Sequence, residues 1–144
     1  MVKKIWFDLD GTIVDLYGVD GWLNMLQAYD PTPYKVAKPM VNMANLAKLL
    51  HKAQRLGYEV GVISWLSKTS TAEYDMAVTE VKVEWLRSHL PSVEWNEIKI
   101  VAYGTPKHEL CEGWLFDDEE YNRQAWGEGA YKPSEIMEML RGLR

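Results

Sequence analysis

Asp8 and Asp10 stand one residue apart in Lys4-Ile5-Trp6-Phe7-Asp8-Leu9-Asp10-Gly11-Thr12, where an apolar run stops and Gly11 marks a sharp turn. A solvated turn tolerates one acid. Two acids at the exit of a buried strand repel each other unless a cation or a shared proton stabilises them. The pair therefore points to a Mg²⁺-dependent phosphoryl-transfer site near the amino terminus. A second pair, Asp117-Asp118, follows the apolar stretch Gly113–Phe116, Ser64 follows Tyr58–Ile63, and Lys107 follows Ile98–Tyr103. Carboxylates, a hydroxyl and an ammonium are the parts needed to hold Mg²⁺ and a phosphate together. Thr105 and Pro106 suit the start of a short helix, which puts Lys107 in its first turn. A cation there opposes the helix dipole by a few tenths to about 1 kcal/mol, and a nearby anion reverses that balance.

Four strands must carry these groups: Ile5–Phe7, Tyr58–Ile63, Ile98–Tyr103 and Gly113–Phe116. Helices alternate with them. Leu46, Leu49, Leu50 and Ala53 recur at helical spacing, with Gly57 after Leu56 as the residue that ends the helix. Ser70 with Glu73 three residues on has capping-box spacing, and the helix it opens carries Ala77, Val81 and Trp85 on one stripe before Pro91. A last helix is expected over Ser134 to Leu140. This alternation predicts an α/β fold, a three-layer Rossmann-like parallel sheet flanked by helices, with ligands beyond the carboxyl ends of the strands. All four polar clusters then gather at one edge. The segment Asp15–Pro39 holds three prolines and two glycines, which limits it to one short helix through Trp22, Leu23 and Leu26. It is the candidate lid insertion of a single domain spanning residues 1–144.

Of 144 residues, 26% are charged and 47% apolar, an ordinary globular composition long enough to bury a core. The net charge of −5, without a Lys/Arg-rich run, disfavours binding to a polyanion surface, though not to a mononucleotide. Cys111 is the only cysteine, so no internal disulfide and no cysteine-rich zinc site can form. Neither a signal-peptide pattern nor an apolar run of membrane-spanning length is present, and a cytoplasmic location is expected.

The four motifs, in this order, resemble those of the haloacid dehalogenase (HAD) superfamily of phosphohydrolases. The motifs are Asp8-Leu9-Asp10-Gly11-Thr12, Ser64 after Val60-Gly61-Val62-Ile63, Lys107, and Leu115-Phe116-Asp117-Asp118. The resemblance covers essentially the whole chain. It implies that Asp8 is the nucleophile that becomes an aspartyl-phosphate, a role that suits a carboxylate already ionised at neutral pH. It implies that Asp10 is the acid/base, which needs a pKa nearer neutrality, and that its backbone carbonyl is a metal ligand. Mg²⁺ is then held by Asp8, Asp10 and the Asp117-Asp118 pair, with Asp118 favoured as the direct ligand and Asp117 behind it or bound through water. Ser64 and Thr12 would bind phosphate oxygens, and Lys107 would neutralise charge shared by Asp8 and the phosphoryl group.

The short insertion implies a minimal cap. Ile63-Ser64-Trp65-Leu66-Ser67-Lys68 with the paired Asp motif is similar to the 5′(3′)-deoxyribonucleotidase branch. The resemblance thus implies a Mg²⁺-dependent phosphomonoesterase acting on a small phosphorylated metabolite, with a nucleotide the first to try. Sugar phosphates, macromolecular phosphate ends, or a silent phosphate-binding module on the same fold stay open. An oligomeric scaffold built on the Trp-rich surface is a third class. Taken singly, each Asp pair is more often a turn or a helix start, Ser64 a strand-end cap and Lys107 a surface charge. His51, His89 and His108 lack mutual metal spacing, and Cys111 reads as a small buried residue. Most of the seven tryptophans read as core. Trp22 with Tyr17, Tyr29 and Tyr34 makes a candidate substrate platform. No Walker-type loop and no Gly-x-Gly-x-x-Gly fingerprint occurs, so ATP and NAD binding have no support.

Overall fold

The computed structural model describes residues 3–144. In chain order the elements are β1 (Lys4–Phe7), β2 (Val14–Asp15), α1 (Trp22–Gln27), α2 (Thr32–Val36), β3 (Lys38–Pro39), α3 (Met43–Arg55) and β4 (Glu59–Trp65). Then come α4 (Ala72–His89), β5 (Glu97–Val101), α5 (Lys107–Leu110), β6 (Trp114–Phe116), α6 (Glu120–Trp126), β7 (Ala130–Tyr131) and α7 (Ile136–Arg141). The main sheet runs β5-β4-β1-β6-β7 with every pairing parallel. The chain therefore builds outward from β1 through β4 to β5, then reverses to β6 and β7. The point of reversal, between β1 and β6, is where such sheets open a crevice.

Register sets the site. Phe7 lies between Val62 and Phe116, so Asp8 leaves the sheet beside the residues that follow them. The Asp8 amide donates to the Phe116 carbonyl at 2.9 Å and fixes the strand end. Alternation along β1 divides the core. Ile5 and Phe7 face Leu46 and Leu50 of α3, Leu86 of α4 and Ile136 and Leu140 of α7. Trp6 faces the other way, with Ile63 and Leu115, against Trp126 at the end of α6 and Cys111 after α5. Trp6 also explains a glycine in a central strand: a Cβ on Gly61 would lie 2.5 Å from the Trp6 ring.

The segment between β2 and β3 leaves the sheet as an antiparallel hairpin, with Val14 opposite Pro39 and Asp15 opposite Lys38. It holds two short helices where the prolines predicted one, because Pro33 sits in the first turn of α2, which tolerates it. The insertion is not loose against its support. Leu16 and Tyr34 pack on Tyr74 and Val78 of α4. The Tyr74 hydroxyl donates to the Asp30 carbonyl at 3.0 Å, and Trp85 Nε1 to the Ala37 carbonyl at 2.8 Å.

Several boundaries differ from the sequence expectation. Thr71, not Ser70, caps α4, its hydroxyl accepting the Tyr74 amide at 3.1 Å. The buried stripe of α4 is Tyr74, Val78, Lys82, Trp85 and Leu86, with Trp85 as expected and Val78 and Lys82 in place of Ala77 and Val81. Thr105 does not cap α5. Its hydroxyl turns back to the Ala102 carbonyl, Pro106 takes the cap position and Lys107 is the first helical residue. The short α6 and β7 escape periodicity altogether, since seven and two residues carry too little pattern. Among the described residues no helix is long and apolar enough to cross a membrane.

Candidate active site

The parallel sheet brings all four expected clusters to its carboxyl edge, and five of the seven expected side chains are fully or nearly fully buried there. Lys107 is the hub. Its ammonium donates to Asp8 Oδ1 at 3.0 Å and to Asp117 Oδ2 at 2.7 Å, and its ring-facing side lies 5.5 Å from the Trp65 centroid. Burial opposes the ammonium form, but Asp8 and Asp117 outweigh it and hold the Lys107 pKa above the ordinary lysine value. The anion that a first-turn lysine requires is thus supplied twice over.

Asp117 is buried and saturated. Besides Lys107, its Oδ2 accepts the Asn122 amide at 3.2 Å, and its Oδ1 accepts the Glu119 backbone N–H at 2.9 Å. Arg123 donates to the Asp117 carbonyl at 3.0 Å. Asp118 instead borders the open cleft. Its backbone N–H donates to the Thr12 hydroxyl at 3.2 Å, and that hydroxyl donates to Asp8 Oδ2 at 3.0 Å. Gly11, at φ 80°, permits this approach, because a Cβ there would strike the Asp118 carboxylate and lie 2.9 Å from the Tyr17 ring.

Lys82, which sequence reasoning missed, is the second buried cation. From the stripe of α4 its ammonium donates to Asp10 Oδ2 at 3.0 Å, to Ser64 Oγ at 2.7 Å and to the Trp65 carbonyl at 2.7 Å. A signal was available: Lys82 stands four residues after Val78 and four before Leu86, a charge on the apolar face. Asp10 is held above the ordinary aspartate value by burial and then by Asp8, with Lys82 pulling the other way. The two hydroxyls expected at the phosphate also have protein partners. Ser64 and Thr12 are fully buried, Ser64 bound to Lys82 and Thr12 to Asp8 and Asp118, and neither lines the cleft.

Oxygen atoms of Asp8, Asp117 and Asp118 lie within 4.8 Å of one another, a donor set of hard oxygens suited to Mg²⁺ or Ca²⁺. Charge balance supports the fit. Asp8, Asp10, Asp117 and Asp118 face two ammonium groups, leaving a surplus of two negative charges that one divalent cation would neutralise. Without that cation the cluster holds protons: burial and Asp8 push Asp117 up to about 6 and Asp118 up to about 8.

The cleft over these groups encloses about 250 Å³. Tyr17 and Trp22, edge to face at 4.9 Å, form one wall with Leu26 and Tyr34, while Trp65 and Tyr103, 5.0 Å apart, form the other. Trp22, Tyr17 and Tyr34 therefore stand where the platform was expected. Tyr29 does not, since it packs edge-on against Tyr74 and lines no part of the cleft. Trp65 and Tyr103 were not anticipated. A larger groove, about 930 Å³, follows the outer face of α4 past Met76, Glu80 and Val83, away from the carboxylate and ammonium cluster.

The fold is α/β and Rossmann-like, a five-stranded parallel sheet flanked by helices. Among solved structures the chain is similar to the D,D-heptose 1,7-bisphosphate phosphatase of Burkholderia thailandensis, with a TM-score of 0.58 over 98% of this chain and 99% of that one. Identity is 14%, so the likeness is one of fold. No protein-family model matches the sequence, and no curated protein matches it.

Proposed function

We propose that the protein is a divalent-metal-dependent phosphomonoesterase working through an aspartyl-phosphate on Asp8. The observation that carries this reading is the Asp8–Lys107–Asp117 ion-pair chain, with Asp118 and Asp10 beside it at the switch point of a HAD-like sheet. Asp8 attacks the phosphorus, the ester P–O bond breaks, and the Asp10 carboxyl gives its proton to the leaving oxygen. Water then attacks the same phosphorus and passes a proton to Asp10 as the Asp8–phosphorus bond breaks, returning both carboxyls and inorganic phosphate. Lys107 holds Asp8 and balances charge as it moves onto the phosphoryl oxygens. Asp8, Asp118 and the Asp10 carbonyl are the residues that would hold Mg²⁺, which neutralises phosphoryl charge when bound. Asp117, whose oxygens already accept three N–H donors, orients Lys107. Ser64 anchors Lys82 and Thr12 holds Asp8, each from behind the cleft wall.

The cleft volume supports a small phosphorylated metabolite, being below the roughly 300–1,000 Å³ of sites for drug-sized ligands. Its two aromatic walls favour a planar group, and with the sequence resemblance they make a nucleoside monophosphate the first substrate to test. The bisphosphate sugar in the name of the fold relative puts sugar phosphates on the same panel. The experiment is hydrolysis of an aryl phosphate and of nucleotide and sugar-phosphate panels with and without Mg²⁺. Turnover by wild type and its loss in Asp8→Asn support the proposal. An inert wild type, or full activity in Asp8→Asn, overturns it.

A further inference from the structure

Asp10 carries two oxygens of unequal standing, and Lys82 makes them so. We infer that Lys82 is a positioning residue that dedicates Asp10 Oδ1 to the leaving oxygen. The inference rests on the phosphatase reading above and adds a role to it. The Lys82 ammonium has three N–H donors and meets three acceptors: Asp10 Oδ2 at 3.0 Å, Ser64 Oγ at 2.7 Å and the Trp65 carbonyl at 2.7 Å. None is left to bind a ligand. The side chain is 2% exposed, and the Tyr34 ring closes over it at 5.0 Å, so Lys82 does not reach the cleft as a substrate ligand.

These contacts tie Asp10 to two other elements. Ser64 and Trp65 belong to β4, Lys82 to α4, and Asp10 to the turn after β1. The ammonium therefore locks that turn to two neighbouring elements. Asp10 Oδ2 is occupied by an N–H donor that cannot accept a hydrogen, so a proton on the Asp10 carboxyl belongs on Oδ1. Among the described residues Oδ1 has no hydrogen-bond partner, and Asp10 borders the cleft. A carboxyl free to rotate would present either oxygen and lose the alignment that proton transfer needs.

Leaving-group dependence tests this. The kcat/KM of wild type and Lys82→Met is compared for an alkyl phosphate, whose leaving oxygen needs a proton, and for p-nitrophenyl phosphate, whose leaving oxygen does not. The expected result is a loss of about 100-fold on the alkyl ester against less than about fivefold on the aryl ester, within the range general-acid catalysis supplies. In an Asp10→Asn background, Lys82→Met is expected to change the alkyl ester by less than about twofold. Lys82→Gln repeats the comparison should Lys82→Met fail to fold, as judged by thermal melting. An equal loss on both esters, or a loss that persists in Asp10→Asn, makes Lys82 a packing residue and overturns the inference while leaving the phosphatase reading intact. An inert wild type overturns both.

Discussion

Replacing Lys107 with Met removes the ammonium shared by Asp8 and Asp117 and leaves their carboxylates facing each other in the interior. The side chains of Lys107 and Asp117 are 2% and 0% exposed, so water cannot take over the lost contacts. Breaking a buried ion pair by deleting one partner costs about 3–5 kcal/mol. Here a proton limits the damage. Asp117 stands at about 6 even with Lys107 present, so protonating it at pH 7.5 costs only about 2 kcal/mol. The expected loss is therefore about 3 kcal/mol, the low end of that range. For a chain of this size it corresponds to a fall of roughly 10 °C in Tm. Calorimetry in chelator at pH 7.5 measures it, and a repeat in Mg²⁺ adds a second constraint. The rise in Tm on adding Mg²⁺ should be larger in Lys107→Met than in wild type, because the competing ammonium has gone. A variant that melts within about 2 °C of wild type in chelator refutes the reasoning, since it means the carboxylates around Lys107 carry no charge worth pairing.

Metal-free protein should lose stability progressively as pH rises from about 4 to about 8, and level off above that. Asp118 in the folded state stands at about 8, above its ordinary 3.8, so between these values the folded form binds more protons than the unfolded one, and stability falls as pH rises. Saturating Mg²⁺ should flatten this fall, and an unchanged slope would remove Asp118 from the metal site. Trp22→Ala should raise KM for the preferred substrate by about 3- to 10-fold through loss of an aromatic contact, while sparing a small phosphoester. Equal effects on both would give Trp22 a folding role.

The strand ends were legible because strong apolar runs stop abruptly at Asp8, Ser64 and Asp117, and a parallel sheet must then align them. The expected parallel sheet flanked by helices follows from the same pattern. What the sequence hides is which polar atoms satisfy one another. Ser64 reads as a phosphate contact, yet its oxygen is bound to a lysine from another element that periodicity had shifted by one position. The cap is hidden in the same way, since Ser70 and Thr71 are chemically similar caps and only backbone geometry chooses Thr71. Trp65 and Tyr103 look like core residues until strand ends place them on the cleft. Residues 15–39 show their prolines plainly, but the contacts that seat them on α4 join positions some 40 residues apart in sequence, as between Asp30 and Tyr74, and periodicity does not see these.

The account turns on Asp8 as nucleophile and Asp10 as the group that later activates water. Both are tested at once by acid-quenching Asp10→Asn after mixing with a radiolabelled aryl phosphate and Mg²⁺. The leaving group needs no proton, so the first step proceeds while the second stalls. The account predicts label trapped on the protein, released by hydroxylamine and mapped to the peptide containing Asp8, with none in Asp8→Asn. Turnover by wild type with no trapped label in Asp10→Asn, or label on a residue other than Asp8, contradicts it.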